Sequence, residues 1–177
     1  MKVAIFPGTF DPLTLGHLDL IKRGSVLFDQ LAVAVMTNTA KEPLFTVEER
    51  VEQVKRATSG FDNVTVITTQ GLTVDLMNKI GADYLLRGLR NTNDFQYERD
   101  IAAMNQFLDD QVETVFLLAD PKYQHLSSSL LKEVARFGGD IDALLPSNIS
   151  ADLAKRMHER EEARISARNQ GQATEEE

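Results

Sequence analysis

One segment decides the fold of this chain: residues 3–17, with the sequence VAIFPGTFDPLTLGH. The apolar run at its start is followed by Pro7 and Gly8, a pattern that predicts a short buried strand ending in a loop. Beyond the segment, residues 18–28 place apolar side chains on one face at helical spacing. The segment is therefore predicted to leave a strand and to deliver Gly16 and His17 to the start of a helix.

This helix start has the properties of an anion site. Backbone N–H groups at a helix N-terminus are unpaired, and the helix dipole there favours negative charge. Gly16 allows a phosphate close to the backbone, His17 offers a ring N–H or a positive charge, and Thr9 adds a hydroxyl. The alternative is an ordinary loop with a surface histidine, and the four residues 14–17 alone leave both interpretations open.

The composition is typical of a globular protein and excludes several classes of function. The chain has 177 residues, of which 42% are apolar, and a net charge of −8, which argues against a broad nucleic-acid surface. It has no cysteine, so disulfides and thiolate metal sites are excluded. No apolar stretch is long enough to span a membrane, and a signal-peptide pattern is missing. We expect a cytoplasmic protein that binds neither nucleic acid nor membranes.

Apolar runs of strand length alternate with helical patterns along the chain. The runs are residues 3–6, 31–36, 64–68, 84–86 and 114–118. This alternation predicts right-handed crossovers and a parallel sheet. We expect an α/β fold with a Rossmann-like, doubly wound, five-stranded parallel sheet, helices on both faces and a C-terminal helix. Residues 1–158 would form a single domain, and the charged tail 159–177 is expected to be frayed or disordered.

Some helix boundaries are also predictable. Thr46 and Glu49 should form a capping box at the start of one helix. Gly81 should end the following helix, and Thr92 or Asn93 should cap the helix after that. Ser150 should cap the last helix. The helix after residue 92 is expected to have an apolar face formed by Tyr97, Ile101, Met104 and Leu108.

Polar side chains follow each of the five predicted strands. They are Thr9, Lys41, Thr73, Arg87 and the serines Ser127, Ser128 and Ser129. Because parallel strands end at the same edge of a sheet, these residues should converge where the strand order reverses. The convergence predicts one site for a polyanion.

The segment Arg87-Gly88-Leu89-Arg90 suits transfer of a nucleotidyl group. Attack on a phosphorus of ATP by an anionic acceptor needs cations and N–H donors around the phosphates, usually with Mg²⁺. Two guanidiniums on either side of a glycine can bind different phosphates. The alternative is two surface arginines in salt bridges, and the serines at 127–129 may be no more than a helix cap. No pair of histidines has metal-ligand spacing, so we expect no zinc ion held by protein side chains.

Six segments, in order, resemble bacterial phosphopantetheine adenylyltransferases, which are nucleotidyltransferases with a T/H-x-G-H motif. The segments are FPGTFDP (6–12), GH (16–17), FTVEER (45–50), RGLR (87–90), DFQYE (94–98) and SSSLLKEVA (127–135). The resemblance implies transfer of AMP from ATP to 4′-phosphopantetheine, which yields dephospho-coenzyme A and pyrophosphate. It also implies a Mg²⁺ requirement, with the ion held by phosphates and water, and a homohexamer.

The resemblance further implies residue roles. His17 would stabilise the transition state at the α-phosphate, with Lys41 and Arg90 as the other catalytic residues. The acceptor would be bound by Thr9, Lys41, Thr73 and Arg87. The ATP site would comprise Thr9, Phe10, His17, Gly88, Leu89, Arg90, Glu98, Tyr123, Gln124, His125, Leu126, Ser127, Ser128 and Ser129. Glu42 replaces a second lysine found in many relatives, which weakens the local positive charge.

Two alternatives compete with this interpretation. A sister nucleotidyltransferase, acting on nicotinamide mononucleotide or transferring a cytidylyl group, would share the loop and Gly16-His17. The segments at 87–90 and 127–135 argue against it. A non-catalytic nucleotide-binding domain on the same sheet is the second alternative, and joint retention of Thr9, His17 and the cations argues against it.

Overall fold

A computed structural model of the chain describes residues 1–37 and 43–173, with side chains described as far as residue 166. The strands are β1 (Val3–Gly8), β2 (Gln30–Met36), β3 (Val64–Thr69), β4 (Tyr84–Leu89) and β5 (Glu113–Leu118). The helices are α1 (Leu15–Leu27), α2 (Val47–Thr58), α3 (Thr73–Ile80), α4 (Thr92–Leu108), α5 (Ser128–Arg136) and α6 (Ser147–Ala173). Short 3₁₀ turns lie at Pro121–Tyr123 and Asp142–Leu144.

The five strands form one parallel sheet in the order β3-β2-β1-β4-β5. From β1 the chain first adds strands on one side of the sheet and then crosses to add β4 and β5 on the other. The strand order therefore reverses between β1 and β4, and a crevice opens at their carboxyl ends. The predicted fold class is confirmed.

Two hydrophobic clusters, one on each face of the sheet, explain why β1 is apolar throughout. Ala4 and Phe6 belong to the larger cluster, which also takes side chains from α1, α5 and α6. Val3 and Ile5 belong to the smaller cluster, which α3 covers. Since successive side chains of a strand point to opposite faces, a central strand between two helical layers must be apolar at every position.

Strand β4 is longer than predicted. Its pairing with β5 continues from Tyr84 to Leu89, so Arg87 lies within the strand and Arg90 is the first residue beyond it. The cap of α4 also differs from the prediction, since the Asn91 side chain accepts the N–H of Asp94 at 2.9 Å. The predicted caps, Thr92 and Asn93, were therefore wrong by one or two positions.

The predicted apolar face of α4 exists but does not enter the core of the single chain. Tyr97, Met104 and Leu108 are all exposed, and Tyr97 retains 67% of its accessible surface. Helical spacing identifies side chains that share a face, but it does not identify what covers that face.

Helix α6 begins at Ser147, three residues before the predicted cap at Ser150. The Ser150 hydroxyl instead donates to the carboxylate of Asp142. The helix continues to Ala173, through a segment for which frayed helix or disorder was expected, and its charges form i,i+3 and i,i+4 pairs such as Arg164–Glu161 and Lys155–Glu159. Residues 174–177 lie outside the described residues, and the domain boundary at residue 158 stays a prediction.

Other local predictions were correct. Gly81 ends α3 in the left-handed conformation, with φ of 66°. Thr46 and Glu49 form the capping box of α2, and the Ser127 hydroxyl accepts the N–H of Leu130 at the start of α5. Within the described ranges, no helix has the length and apolar character needed to cross a membrane.

Candidate active site

A cleft of about 360 Å³ opens where the strand order reverses. Its walls include the end of β1, the start of α1, the end of β4 and the first two turns of α4. Thr9 and His17 lie on one side, and Arg87 and Arg90 lie on the other. The fold therefore brings together residues that are at least 70 positions apart in the sequence.

His17 is fixed by the first turn of its own helix. Thr14 caps α1, because its hydroxyl accepts the N–H of His17 at 3.3 Å. In return, Nδ1 of His17 accepts the N–H of Thr14 at 3.1 Å. This is a capping box with histidine in the place usually taken by glutamate or glutamine. Because Nδ1 is an acceptor, the ring proton lies on Nε2.

The environment of His17 keeps its ring neutral. Burial, and after it the positive charges of Arg90 and Arg87, lower the pKa of His17 to about 4. The ring of Phe10 packs edge-on against the imidazole, with centroids 5.3 Å apart. At neutral pH, His17 is therefore a hydrogen-bond donor through Nε2 and not a cation, which selects one of the two possibilities that the sequence left open.

Arg87 is held by Glu98 and by the end of β1. Its Nε donates to Glu98 Oε2 at 2.7 Å, its Nη2 donates to Glu98 Oε1 at 2.5 Å, and its Nη1 donates to the carbonyl of Pro7 at 2.9 Å. The sequence placed Glu98 in the nucleotide site and Arg87 in the acceptor site. In this structure they contact each other.

Arg90 repeats this pattern. Its Nε and Nη2 donate to the two oxygens of Asp94 at 2.8 and 3.1 Å, and its Nη1 donates to the carbonyl of Leu126 at 3.0 Å. Burial alone would raise the pKa of the Asp94 carboxyl, but the hydrogen bonds and charge of Arg90 outweigh this effect and lower the pKa. Asp94 is therefore ionised and orients the guanidinium.

Both arginines keep donors for a ligand. A guanidinium has five N–H groups, and each arginine uses three of them in these contacts. Among the described residues, one N–H on each terminal nitrogen is without an acceptor. A phosphate can therefore bind to either arginine without breaking its pair with the carboxylate.

The described charged side chains of the cleft balance one another. Arg87 and Arg90 face Glu98 and Asp94, and His17 is neutral. Among the described residues, attraction of a polyanion therefore depends on N–H donors and on the helix N-termini. The two guanidiniums that the sequence predicted here are each paired with a carboxylate of the same cleft.

The structure brings together most, but not all, of the predicted site residues. The predicted residues that line the cleft are Thr9, Phe10, His17, Arg87, Gly88, Arg90, Glu98, Tyr123 and Leu126. Ser128 and Ser129 line a second cavity of about 490 Å³ that shares Thr9 with the cleft. The predicted residues that line neither are Leu89, Gln124, His125, Ser127 and Thr73. Lys41 lies outside the described residues.

Residues that the sequence did not assign to the site hold its loops. Arg50, which is 2% exposed, donates from Nη1 to the carbonyls of Thr9 at 2.6 Å and Met36 at 2.9 Å. Asp11, 6% exposed, accepts the N–H groups of Leu44 and Phe45. Both belong to segments that carried the family resemblance, but neither spacing nor composition could show which partners they reach.

The fold and the site together define a class of enzyme. A family model described as cytidylyltransferase-like matches residues 5–134, and the chain is a nucleotidyltransferase of that class. A crystal structure from Vibrio parahaemolyticus, named as a nicotinate-nucleotide adenylyltransferase, aligns with a TM-score of 0.60. It covers 87% of this chain and 99% of its own, but at 21% identity it supports the fold alone.

Closer relatives specify the family. The phosphopantetheine adenylyltransferase of Limosilactobacillus reuteri (strain DSM 20016) is 76% identical over 170 residues, which cover 96% of this chain and 98% of that protein. The protein of the same name from Synechocystis sp. is 54% identical over 151 residues, which cover 85% and 95%. The chain belongs to the phosphopantetheine adenylyltransferase family.

Proposed function

We propose that the chain transfers the adenylyl group of ATP to 4′-phosphopantetheine, yielding dephospho-coenzyme A and pyrophosphate, the penultimate step of coenzyme A synthesis. One observation carries the proposal: a neutral imidazole and two oriented guanidiniums meet in a single cleft at the switch point of the sheet. The high identity to proteins named for this activity supports the choice of acceptor.

The proposed reaction is one in-line displacement. A phosphate oxygen of the acceptor attacks the α-phosphorus, the bond from that phosphorus to the bridging oxygen of the β-phosphate breaks, and pyrophosphate leaves. His17 donates its Nε2–H to an α-phosphate oxygen as charge accumulates there, and the Thr9 hydroxyl orients the attacking phosphate. Because His17 is already neutral and oriented, it stabilises this charge without a proton transfer or a reorganisation of its own.

The cations have separate proposed roles. Arg87, together with Lys41, binds the phosphate of the acceptor, and Arg90 binds the outer phosphates of ATP. Each arginine uses the N–H groups that its carboxylate leaves free. Binding both substrates in one cleft overcomes their mutual repulsion and supplies the positioning on which phosphoryl chemistry depends.

Mg²⁺ is proposed to enter with ATP. The described residues include no cluster of three acidic or imidazole side chains that could hold a metal, and Asp94 and Glu98 are occupied by arginines. The ion would then be coordinated by phosphates and water, where it would neutralise part of the triphosphate charge. EDTA should abolish turnover, excess Mg²⁺ should restore it, and the thermal stability of the free protein should not change.

The decisive experiment measures pyrophosphate release from MgATP with three acceptors in parallel: 4′-phosphopantetheine, nicotinamide mononucleotide and glycerol 3-phosphate. Release with 4′-phosphopantetheine alone would support the proposal. Release with another acceptor would move the chain to a sister activity. ATP binding without release would favour a non-catalytic nucleotide-binding domain.

We also propose that the protein is a cytoplasmic homohexamer. The exposed apolar side chains of α4, including Tyr97, Met104 and Phe107, form a surface of the kind that subunit contacts cover. Light scattering coupled to gel filtration measures the mass directly. A monomeric mass at micromolar concentration would contradict the hexamer and leave the catalytic proposal untouched.

A further inference from the structure

The Asp11 carboxylate joins three segments of the chain. It lies in the loop after β1, where only 6% of the residue is exposed. Its oxygens accept the N–H of Leu44 at 3.0 Å and that of Phe45 at 3.0 Å. Its Oδ2 also accepts a hydrogen bond from Nζ of Lys132 on α5 at 2.7 Å. One carboxylate therefore connects the β1 loop, the segment before α2 and the second turn of α5.

These segments carry predicted ATP-binding residues. Thr9 and Phe10 immediately precede Asp11. On α5, Ser128 and Ser129 lie one turn before Lys132 and contribute, with Thr9 and Lys132, to the walls of the second cavity. Asp11 and Lys132 therefore fix the distance between the two halves of the predicted nucleotide site.

Two further hydrogen bonds hold the loop after β1, one from α5 and one from α2. The Ser128 hydroxyl donates to the carbonyl of Pro12 at 2.8 Å, and Arg50 donates to the carbonyl of Thr9 at 2.6 Å. The loop is thus bonded to the starts of α5 and α2 by two side chains that line the second cavity and not the cleft. Of the contacts between the loop and α5, the Asp11–Lys132 pair alone joins two opposite charges.

A buried ion pair is a poor choice for stability alone. Removing two charges from water costs several kcal/mol, and well-packed apolar residues often stabilise such a position equally well. A carboxylate has a different advantage here: it accepts hydrogen bonds from two backbone groups and one ammonium group in fixed directions. These hydrogen bonds hold the connected segments at fixed positions relative to one another.

We propose that Asp11 is a positioning residue for the bound triphosphate, and that Lys132 is the partner through which it places α5 relative to Thr9. This inference rests on the proposed function, because it assumes that ATP occupies the space between these two segments. Neither side chain transfers a proton or forms a bond. Losing the pair shifts the start of α5 and weakens the contacts to the outer phosphates, while the adenosine side of the cleft is unchanged.

The test compares affinities for ATP and AMP, measured by calorimetry on the full chain. Asp11→Asn and Lys132→Gln are each expected to weaken ATP binding about tenfold, since a displacement near 1 Å can cost up to about a hundredfold. AMP lacks the outer phosphates, and its affinity should change less than twofold. The double variant should be no weaker than either single variant, because both changes remove the same contact.

Asp152→Asn is the matched control. Asp152 accepts hydrogen bonds from Gln53 and Arg56 between α2 and α6, and it lines neither the cleft nor the second cavity. It should lower thermal stability without changing the affinity for ATP. Lys132→Arg, which keeps the charge, should restore most of the affinity that Lys132→Gln loses.

The outcomes are distinct. Equal losses for ATP and AMP, or a similar ATP defect in the Asp152 variant, would reduce Asp11 to a structural role and overturn the inference. If Asp11→Asn does not fold, the ratio of ATP to AMP affinity in Lys132→Gln decides alone. If the wild type binds ATP but transfers to none of the acceptors, the proposed function fails while the binding test of Asp11 stands.

Discussion

Two chain segments leave the sheet at its switch point, and they equip the site differently. The segment from β1 to α1 contributes a hydroxyl, backbone N–H groups and a neutral imidazole. The segment from β4 to α4 contributes two guanidiniums, each paired with a carboxylate in the first two turns of α4. The first segment is built to donate a hydrogen bond at one fixed place. The second carries charge and keeps it oriented, and a cleft with both can bind anions without a large net charge.

The largest expected effect follows from removing the neutral donor. His17→Ala should lower kcat by at least about a hundredfold, because a donor aimed at the developing charge acts mainly in the transition state. The affinity for ATP, measured by calorimetry, should stay within a few-fold of the wild type. A parallel loss of turnover and ATP affinity would mean that His17 binds the ground state, and the two segments would then not differ in the way described.

The arginine segment should respond differently. Arg90→Lys should raise KM for ATP by about ten- to a hundredfold, because an ammonium has three N–H donors and the native contacts to Asp94 and the Leu126 carbonyl already use three, leaving none for a phosphate. Arg87→Lys should instead raise KM for 4′-phosphopantetheine. Steady-state kinetics with each substrate varied in turn separate the two. An identical pattern for both variants would contradict their separate roles.

The glycines near the ends of β1 and β4 provide a further test of how the two segments differ. A Cβ at Gly8 would lie 2.8 Å from Cζ of Phe10, and a Cβ at Gly88 would lie 2.2 Å from Cδ1 of Leu20. Each alanine variant should lose about 1–3 kcal/mol of unfolding free energy, the usual cost of overpacking.

Activity should distinguish these two glycine variants. Leu20 can move Cδ1 aside by rotating about χ2, whereas Phe10, whose ring is rigid, packs on His17. Gly8→Ala should therefore also lower kcat, and Gly88→Ala should lower it less. Denaturant unfolding and turnover at a temperature well below both transitions measure the two effects. Equal kcat values would show that the Phe10 ring does not hold the imidazole.

The smallest expected effect is one of pH. The pKa of His17 is lowered from 6.5 to about 4, so between these two pH values the ring is neutral in the folded protein and protonated in the unfolded chain. The stability that this neutrality contributes is present above pH 6.5 and is lost as the pH falls from 6.5 towards 4. His17→Asn should flatten that part of the stability curve, and ¹⁵N NMR should show the Nε2–H tautomer without titration between pH 6 and 8.

The sequence predicted the fold well because the determining signals are local. Each of the five apolar runs became a strand, and Gly81 and the Thr46–Glu49 capping box stand where their chemistry requires. The errors arose where contacts between distant segments determine the end of a strand or the burial of a side chain. Strand β4 extends to Leu89 because β5 pairs with it, and Tyr97 is exposed because no described part of the chain covers that face of α4.

The sequence predicted that one histidine and two arginines meet at the site, but it did not predict their charge states or ion pairs. His17, Arg87 and Arg90 were expected together, and they line one cleft. Their charge states could not be read from spacing, because the pKa of His17 depends on burial and the arginines are paired with residues four and eleven positions away. Asp11 is a similar case, since its partner Lys132 is 121 positions further along the chain.

The capping box at the start of α1 makes one backbone amide a reporter of the chemistry. The N–H of Thr14 bonds to Nδ1 of His17 as long as that nitrogen carries no proton. Exchange of this single amide with deuterated solvent should therefore be slow when the imidazole is in its donating tautomer and accelerate when the ring protonates or turns away. The state of His17 could then be followed through binding and turnover by mass spectrometry, with deuterium as the label and no substitution in the site.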